Sequence, residues 1–226
     1  MINKQVYNYI IKNNLFSIKK DKIILAISAG ADSVCLFHIF RSLGVNMELA
    51  HCNFKLRDND SDEDEEFIKK LAKKHKIKFH VKSFATDFYS KENKVSIQMA
   101  ARQLRYNWFK DLLIDRNANF IATAHHKDDS IETFFINLIR GSGIRGLVGI
   151  KQTEKVIRPL LSIDKIQIIK FLHKNKFKYR EDLTNSSLKY LRNKIRMKLI
   201  PLLLDLNPLI KENIFNEMKI LENTNI

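Results

Sequence analysis

The chain has little of what interrupts or crosslinks a fold. Its 226 residues include three prolines, six glycines, two cysteines and one tryptophan. The prolines are Pro159, Pro201 and Pro208, and neither an internal repeat nor a low-complexity linker divides the sequence, so a domain boundary, if there is one, falls near 201–208. Cys35 and Cys52 form no C-x-x-C pair and no cluster at metal-ligand spacing, which argues against zinc or an iron–sulfur cluster and fits a reducing cytoplasm. The apolar runs, such as 23–27 and 134–136, fall far short of the roughly 18 residues that a membrane-spanning helix needs. The N-terminal residues break their apolar positions with Asn and Lys and lack the continuous hydrophobic centre of a signal peptide. A soluble, cytoplasmic protein with no membrane partner is expected.

Acidic residues are also outnumbered: Lys and Arg total 40 against 25 Asp and Glu, a net charge of +15. The surplus is denser in residues 141–226, which hold 17 basic and 8 acidic side chains. A polyanionic partner such as nucleic acid follows from this balance. The basic residues are 29 Lys and 11 Arg in a chain also rich in Ile and Asn, a pattern that base composition can produce, so charge supports the inference without carrying it.

Apolar, β-branched segments alternate with longer amphipathic ones, the pattern of βαβ units and a parallel sheet covered on both faces. Strands are expected near 22–27, 45–50, 77–82 and 119–124. Helices are expected near 3–14, 32–43, 60–75, 95–115 and 127–139, with more helix after 163. The helix at 60–75 opens with Asp60, Asp62, Glu63, Asp64, Glu65 and Glu66 and closes with Lys69, Lys70, Lys73 and Lys74, an order that complements the helix dipole. These acids match no metal loop and read as a solvated helix start.

The segment from Ile23 to Leu36 is an apolar strand that runs through Ser28, Ala29, Gly30, Ala31, Asp32 and Ser33 into a helix. Small residues let backbone N–H groups approach a phosphate at the positive end of that helix, the two serines add donors, and Asp32 has the chemistry to hold Mg2+ against a pyrophosphate. An ordinary strand–turn–helix has the same outline, and no G-x-x-x-x-G-K-[ST] loop exists in the chain. The loop resembles the PP-loop, S-G-G-x-D-S, of the N-type ATP pyrophosphatases, which cleave ATP between the α and β phosphates. Ala29 departs from that pattern, standing where Gly is usual. If the position needs a positive φ, the alanine is strained and ATP affinity is the property affected.

Later segments are similar to one PP-loop family, the tRNA(Ile)-lysidine synthases, over about 22–203. Ala50 to Arg57 loosely resembles a V-D-H-x-L-R segment. Ser96 to Tyr106 resembles an E-x-x-A-R-x-x-R-Y helix with Gln98 in place of Glu, and places Arg102 and Arg105 on one helix face, where an anion between them is plausible and a pair of solvated surface arginines is the alternative. Thr123 to Thr133 follows an apolar strand and so sits at the carboxyl end of the sheet. Asp129 and Glu132 then share a helix face and can hold an ammonium group or a metal ion. His125 and His126 are adjacent and point apart, which disfavours zinc. Arg140 to Leu147 is a glycine-rich basic turn that matches R-G-S-G-x-x-G-L and offers Arg140 and Arg145 to phosphate, with a plain surface loop as the alternative. Val156 to Leu161 contains R-P-L-L. Arg180 to Asn185 and Tyr190 to Arg196 close the series, with Arg192 and Arg196 forming a basic stripe suited to RNA or substrate phosphate.

The resemblance implies a Rossmann-like, adenine nucleotide alpha hydrolase-like α/β fold, with a catalytic domain over 1–203 and a short helical tail over 204–226. It implies an enzyme that uses ATP and Mg2+ to join the ε-amine of free L-lysine to C2 of the wobble cytidine of tRNA(Ile) with anticodon CAU. The ring is first adenylated, and lysine then displaces AMP. Ser28, Ala29, Gly30, Ala31, Asp32 and Ser33 are expected to hold ATP, with Asp32 on Mg2+. Asp129 and Glu132 are expected to hold lysine, with Asp32 part of the catalytic set. Arg102, Arg105, Arg140, Arg145, Arg192 and Arg196 are expected to contact phosphates of ATP or tRNA. A homodimer is left open. A PP-loop tRNA thiolase, which delivers sulfur to a similar carbonyl, and a tRNA-binding remnant without catalysis are the alternatives; the two cysteines match no thiolase pattern, and retention of Asp32, Asp129 and Glu132 speaks against the remnant.

Overall fold

Strand β1 (Lys22–Ala26) sends Ile23 and Leu25 into one cluster of buried side chains and Ile24 into another, as a strand covered on both faces must. The computed structural model describes residues 1–56, 58–180 and 191–224. Among these, β1 joins β2 (Asn46–Asn53), β3 (Phe79–Ser83), β4 (Phe120–Ala122) and β5 (Val156–Ile157) in a parallel sheet of order β3-β2-β1-β4-β5. The first four lie where the alternation of the sequence expects them. The fifth has only two residues, too few for a period to register, and is held to β4 by Thr123 N–H on the Ile157 carbonyl at 3.0 Å.

Helices α1 (Ile2–Lys12), α2 (Ala31–Ser42), α3 (Asp58–His75) and α7 (Lys165–Lys174) bury Val6, Ile10, Val34, Ile68 and Leu172 against one face. Helix α5 (Ile97–Asp115), preceded by the short α4 (Thr86–Glu92), covers the other face with Trp108, Phe109 and Leu112. Ser96 caps α5 by accepting the Met99 N–H at 3.2 Å, so the helix starts after the position that the sequence marks near 95. A third cluster forms where α6 (Lys127–Ile139) meets a helical run of α8 (Leu191–Lys194), a π-helical turn (Ile195–Leu199) and α9 (Ile200–Leu206): Ile131, Phe135, Ile195 and Ile200 are buried together. The expected boundary at residue 203 falls inside α9. Helix α10 (Ile210–Asn223) returns to pack on α6.

After β1 the chain steps outward to β2 and β3, then comes back to lay β4 on the opposite side of β1. The carboxyl ends of β1 and β4 therefore lead into loops that diverge, and open α/β sheets bind ligands at this switch point. No helix among the described residues is long and apolar enough to cross a membrane.

His38 makes stability depend on pH. It lies buried on α2, its ring stacked on Phe177 at 3.5 Å between centroids. Burial, reinforced by His75, Arg41 and Lys74, holds its pKa down at about 4. The unfolded chain binds the proton more readily, so the stabilisation is complete above pH ~6.5 and is lost as pH falls toward 4. Between pH 7 and pH 5 the charging of this one group is expected to cost about 2 kcal/mol. Urea unfolding at the two pH values should show the loss, and the loss should shrink in His38→Leu.

Candidate active site

The loop after β1 is braced by its own serines. Ser33 Oγ accepts the Ser28 N–H at 3.1 Å and donates to the Gly30 carbonyl at 3.0 Å, and the two hydroxyl oxygens lie 3.4 Å apart. Ala29 has φ 64° and is fully buried, so the position does require the left-handed conformation, and its methyl packs in the main core. The Arg180 N–H donates to the Ala29 carbonyl at 3.0 Å. The Arg180 guanidinium meets Asp64 at 2.5 Å and Glu63 at 2.8 Å, which ties the loop to the acidic start of α3. The acids that read as a solvated helix start thus also anchor the residue that fixes the loop.

Glycine at position 29 would remove roughly 1 kcal/mol of left-handed strain and about as much buried methyl, two contributions of opposite sign. Ala29→Gly is therefore expected to change folding stability and ATP-binding free energy by less than about 1 kcal/mol each. Denaturant unfolding and an ATP titration check this; a tenfold gain in ATP affinity would show that the methyl obstructs the phosphate cradle.

At the end of β4, His126 caps α6 in a reciprocal arrangement. Its Nδ1 accepts the Asp129 N–H at 3.4 Å while Asp129 Oδ2 accepts the His126 N–H at 3.1 Å. Its Nε2 then lies 3.4 Å from Asp129 Oδ2 and 3.7 Å from Asp32 Oδ2, so one imidazole bridges the two loops. Lys165, the first residue of α7, places Nζ 2.5 Å from Asp32 Oδ1 and donates its N–H to Asp128 Oδ2 at 2.7 Å. Lys211 of α10 puts its ammonium 2.5 Å from Asp128 Oδ1. Burial pushes the Asp128 carboxyl up, but Lys211 and the Lys165 N–H outweigh it and hold the group below its ordinary value.

Glu132, one turn further on, is 1% exposed and accepts two bonds from Arg196, at 2.6 and 3.0 Å. Burial pushes its carboxyl up, with Arg196 opposing. Arg196 also lies 3.8 Å from Asp129 Oδ1, so the two carboxylates converge on one guanidinium. Arg192 donates to Thr133 Oγ1 at 3.0 Å and lies 3.7 Å from Glu132. Arg192 and Arg196 do share a face, which meets α6 while both side chains stay partly exposed. His125 bonds Thr123 Oγ1 at 2.9 Å through Nδ1. Burial keeps its pKa at about 4, against the pull of Asp129 and with Arg158, Arg105 and Arg192 adding to the effect, so the imidazole is neutral near pH 7.

Two cavities meet here. A cleft of about 230 Å³ lies over the carboxyl ends of β1, β2 and β4, with Ser28, Ser33, Arg105 and His125 in its wall. A second, of about 730 Å³, opens between α6, α7, α9 and α10 and is lined by six carboxylates: Asp32, Asp128, Asp129, Glu132, Asp164 and Glu212. Asp32 and Asp129 border both. Arg102 does not line either; it and Arg105 flank the Tyr106 ring at 4.7 and 5.3 Å, and only Arg105 reaches the cleft. Arg140 and Arg145 lie beyond the other end of α6, Arg140 about 16 Å along the helix from Asp129. Arg57, 181–185 and Tyr190, which belong to the quoted motifs, lie outside the described residues.

Among the described residues no three His, Cys, Asp or Glu side chains cluster as a metal cage. Mg2+ needs none, since it takes one or two carboxylates and completes its shell with phosphate oxygens and water. Asp32, in the first turn of α2 and on the border of the cleft, fits that demand.

The family model for the PP-loop domain matches residues 2–203. A tRNA(Ile)-lysidine synthase of Petrotoga mobilis is 39% identical over 223 residues, 96% of this chain and 71% of that protein. The chain belongs to the tRNA(Ile)-lysidine synthase family of PP-loop proteins. A namesake from Bacteroides thetaiotaomicron is 45% identical over 215 residues, which make up 95% of this chain and 50% of that protein. The chain thus spans about half the length of this relative. Among solved structures, the U34-tRNA thiolase NcsA of Methanococcus maripaludis with its 4Fe-4S cluster superimposes with a TM-score of 0.78 at 18% identity, covering 99% of this chain and 80% of that one. The NH3-dependent NAD synthetase of Campylobacter jejuni gives 0.55 at 16% identity, covering 98% and 91%. At those identities the likeness concerns the fold, an adenine nucleotide alpha hydrolase-like sheet flanked by helices. Clusters of the thiolase kind take cysteine thiolates. The only two cysteines here are Cys35, sealed inside α2, and Cys52 on β2.

Lys165 and Lys211 join the site from segments that carry no motif, and Arg180, the head of a quoted motif, reaches it through the Ala29 carbonyl. Lys165 stands 133 residues from Asp32 and sits in no nucleotide motif. Only the capping pair Asp164 and Gln167, which starts α7, signals that a helix begins there.

Proposed function

We propose that this chain carries out the ATP-dependent joining of free L-lysine to C2 of the wobble cytidine of a tRNA(Ile) with anticodon CAU. The observation that carries the proposal is the pair of cavities that share Asp32 and Asp129: a small cleft above the PP-loop and a larger chamber rich in carboxylate. The cleft suits a nucleotide, because the loop after β1 and the start of α2 aim N–H groups and helix dipole at its phosphates. The chamber suits a cationic amine. It already holds the ammonium groups of Lys165 on Asp32 and Lys211 on Asp128.

ATP supplies the activation: adenylation of the cytidine O2, with loss of pyrophosphate, turns a poor leaving group into one that an amine can displace. Ser28 to Ser33 would hold the phosphates and Asp32 would hold Mg2+. Arg105, on the wall of the cleft, would face the same negative charge. Asp129 borders the join and would orient the lysine amine toward the ring, accepting a proton as the carbon–nitrogen bond forms. Glu132, locked to Arg196, would set the position of that guanidinium beside Asp129. Thr123, His125 and Phe109 line the same cleft.

The test is ATP–pyrophosphate exchange with and without the tRNA. Exchange that appears only when the tRNA is present supports adenylation of the base; exchange with lysine alone would mean that the amino acid is activated instead, and the proposal would be wrong.

A further inference from the structure

The R-P-L-L segment has no role in the chemistry above, yet its arginine occupies an unusual place. Arg158 follows β5 and is only 5% exposed. One of its nitrogens, Nη1, donates to the Lys151 and Val156 carbonyls. The Tyr106 phenol faces the guanidinium without closing a well-formed bond, since the Tyr106 hydroxyl and Arg158 Nε are both buried and unpartnered. Among the described residues no carboxylate pairs with Arg158, or with Arg102, Lys110 or Lys155 around it. Buried charge normally has a counter-charge, and an arginine lacking one within the chain is suited to an anion from outside it.

These four cations line a groove of about 820 Å³ between α5 and the edge strand β5, and no acid lines it. Its floor is apolar, with Tyr106, Phe109, Leu113 and Val156, and its rim carries Met99, 48% exposed. Phe109 borders this groove and the nucleotide cleft alike, so the two are adjacent across one ring. A partner that is anionic along its backbone and flat and apolar between its charges matches both features. A single strand of nucleic acid is such a partner; an acidic protein surface would meet the cations but leave the floor unfilled.

We propose that this groove docks a single-stranded stretch of the RNA next to the modified base, with a phosphodiester on Arg158 and Arg102 and a base laid against the apolar floor at Leu113 and Val156. The inference rests on the RNA substrate proposed above and extends it by naming the surface. Binding here would hold the loop against the cleft after the reacting base has left its stack.

The experiment measures binding of a fluorescent CAU anticodon stem-loop across a salt series, for the unaltered chain and for the double variant Lys110→Glu, Lys155→Glu. Both lysines are exposed, so folding should survive, and an ATP titration reports whether the cleft is intact. The variant should bind the RNA at least about tenfold more weakly, with a log–log salt slope shallower by about one or more. Arg158→Gln should weaken binding without a charge reversal. Equal affinity and slope in the double variant would overturn the groove while leaving the function in place. Loss of self-association in the variant at unchanged RNA affinity would also overturn it and assign the groove to a second copy of the chain. If the unaltered chain binds ATP but not the stem-loop, the RNA substrate itself fails, and the groove with it.

Discussion

Asp32→Asn is expected to lower tRNA-dependent ATP–pyrophosphate exchange by roughly 10²- to 10³-fold, the usual consequence of removing one group that faces developing charge. The side chain stands in the first turn of α2, where its carboxylate meets Lys165 at 2.5 Å and lies 3.7 Å from His126. Asparagine keeps the shape and one acceptor, so the loop braced by Ser28 and Ser33 should persist. What disappears is the negative charge. Without it Lys165 is released to the phosphates, and ATP binding should survive or tighten while its dependence on Mg2+ weakens. A Mg2+ titration of ATP binding separates these effects from unfolding. Full exchange in the variant would remove Asp32 from the chemistry.

Asp129→Asn is expected to affect the other half of the reaction. Asn can still accept the His126 N–H that closes the cap of α6, so the helix start should be kept. The loss would be of the charge proposed to hold the lysine ammonium and to accept its proton. Lysine transfer should fall by about 10² or more, while exchange stays within several-fold of the unaltered chain. Single-turnover assays with preformed adenylated RNA and labelled lysine give the transfer rate directly. Glu132 is a poorer test of the same idea, because breaking its buried pair with Arg196 would destabilise the fold by about 3–5 kcal/mol and confuse the two effects.

The parallel sheet is legible in the sequence for physical reasons, and so is the pairing of Asp129 with Glu132 on one helix face. Alternating apolar and amphipathic segments give the strands and helices their places, and Asp129 and Glu132 share a face because a helix repeats every 3.6 residues. What spacing cannot give is the direction of a face. Arg192 and Arg196 do lie together, but they also pair with Glu132 and Asp129 of α6, because α8 and the π-helical turn pack their apolar side against Ile131 and Phe135. Arg102 and Arg105 also share a face, and the ring of Tyr106 divides them between two cavities. The ammonium groups on Asp32 and Asp128 come from Lys165 and Lys211, brought there by tertiary packing that no local period encodes. Strand β5 and helix α4 leave no readable period, since two and seven residues are too short a pattern.

The proposed transfer of lysine to a cytidine is read by incorporation of radiolabelled lysine into tRNA by the purified chain with ATP and Mg2+. The substrate is a tRNA(Ile) transcript with anticodon CAU, and the control is initiator tRNA(Met), which carries the same anticodon. Label in the tRNA(Ile), dependent on ATP and absent from the Asp129→Asn reaction, is the expected result. No label in either RNA, from a chain that still binds ATP and the stem-loop, would contradict the account.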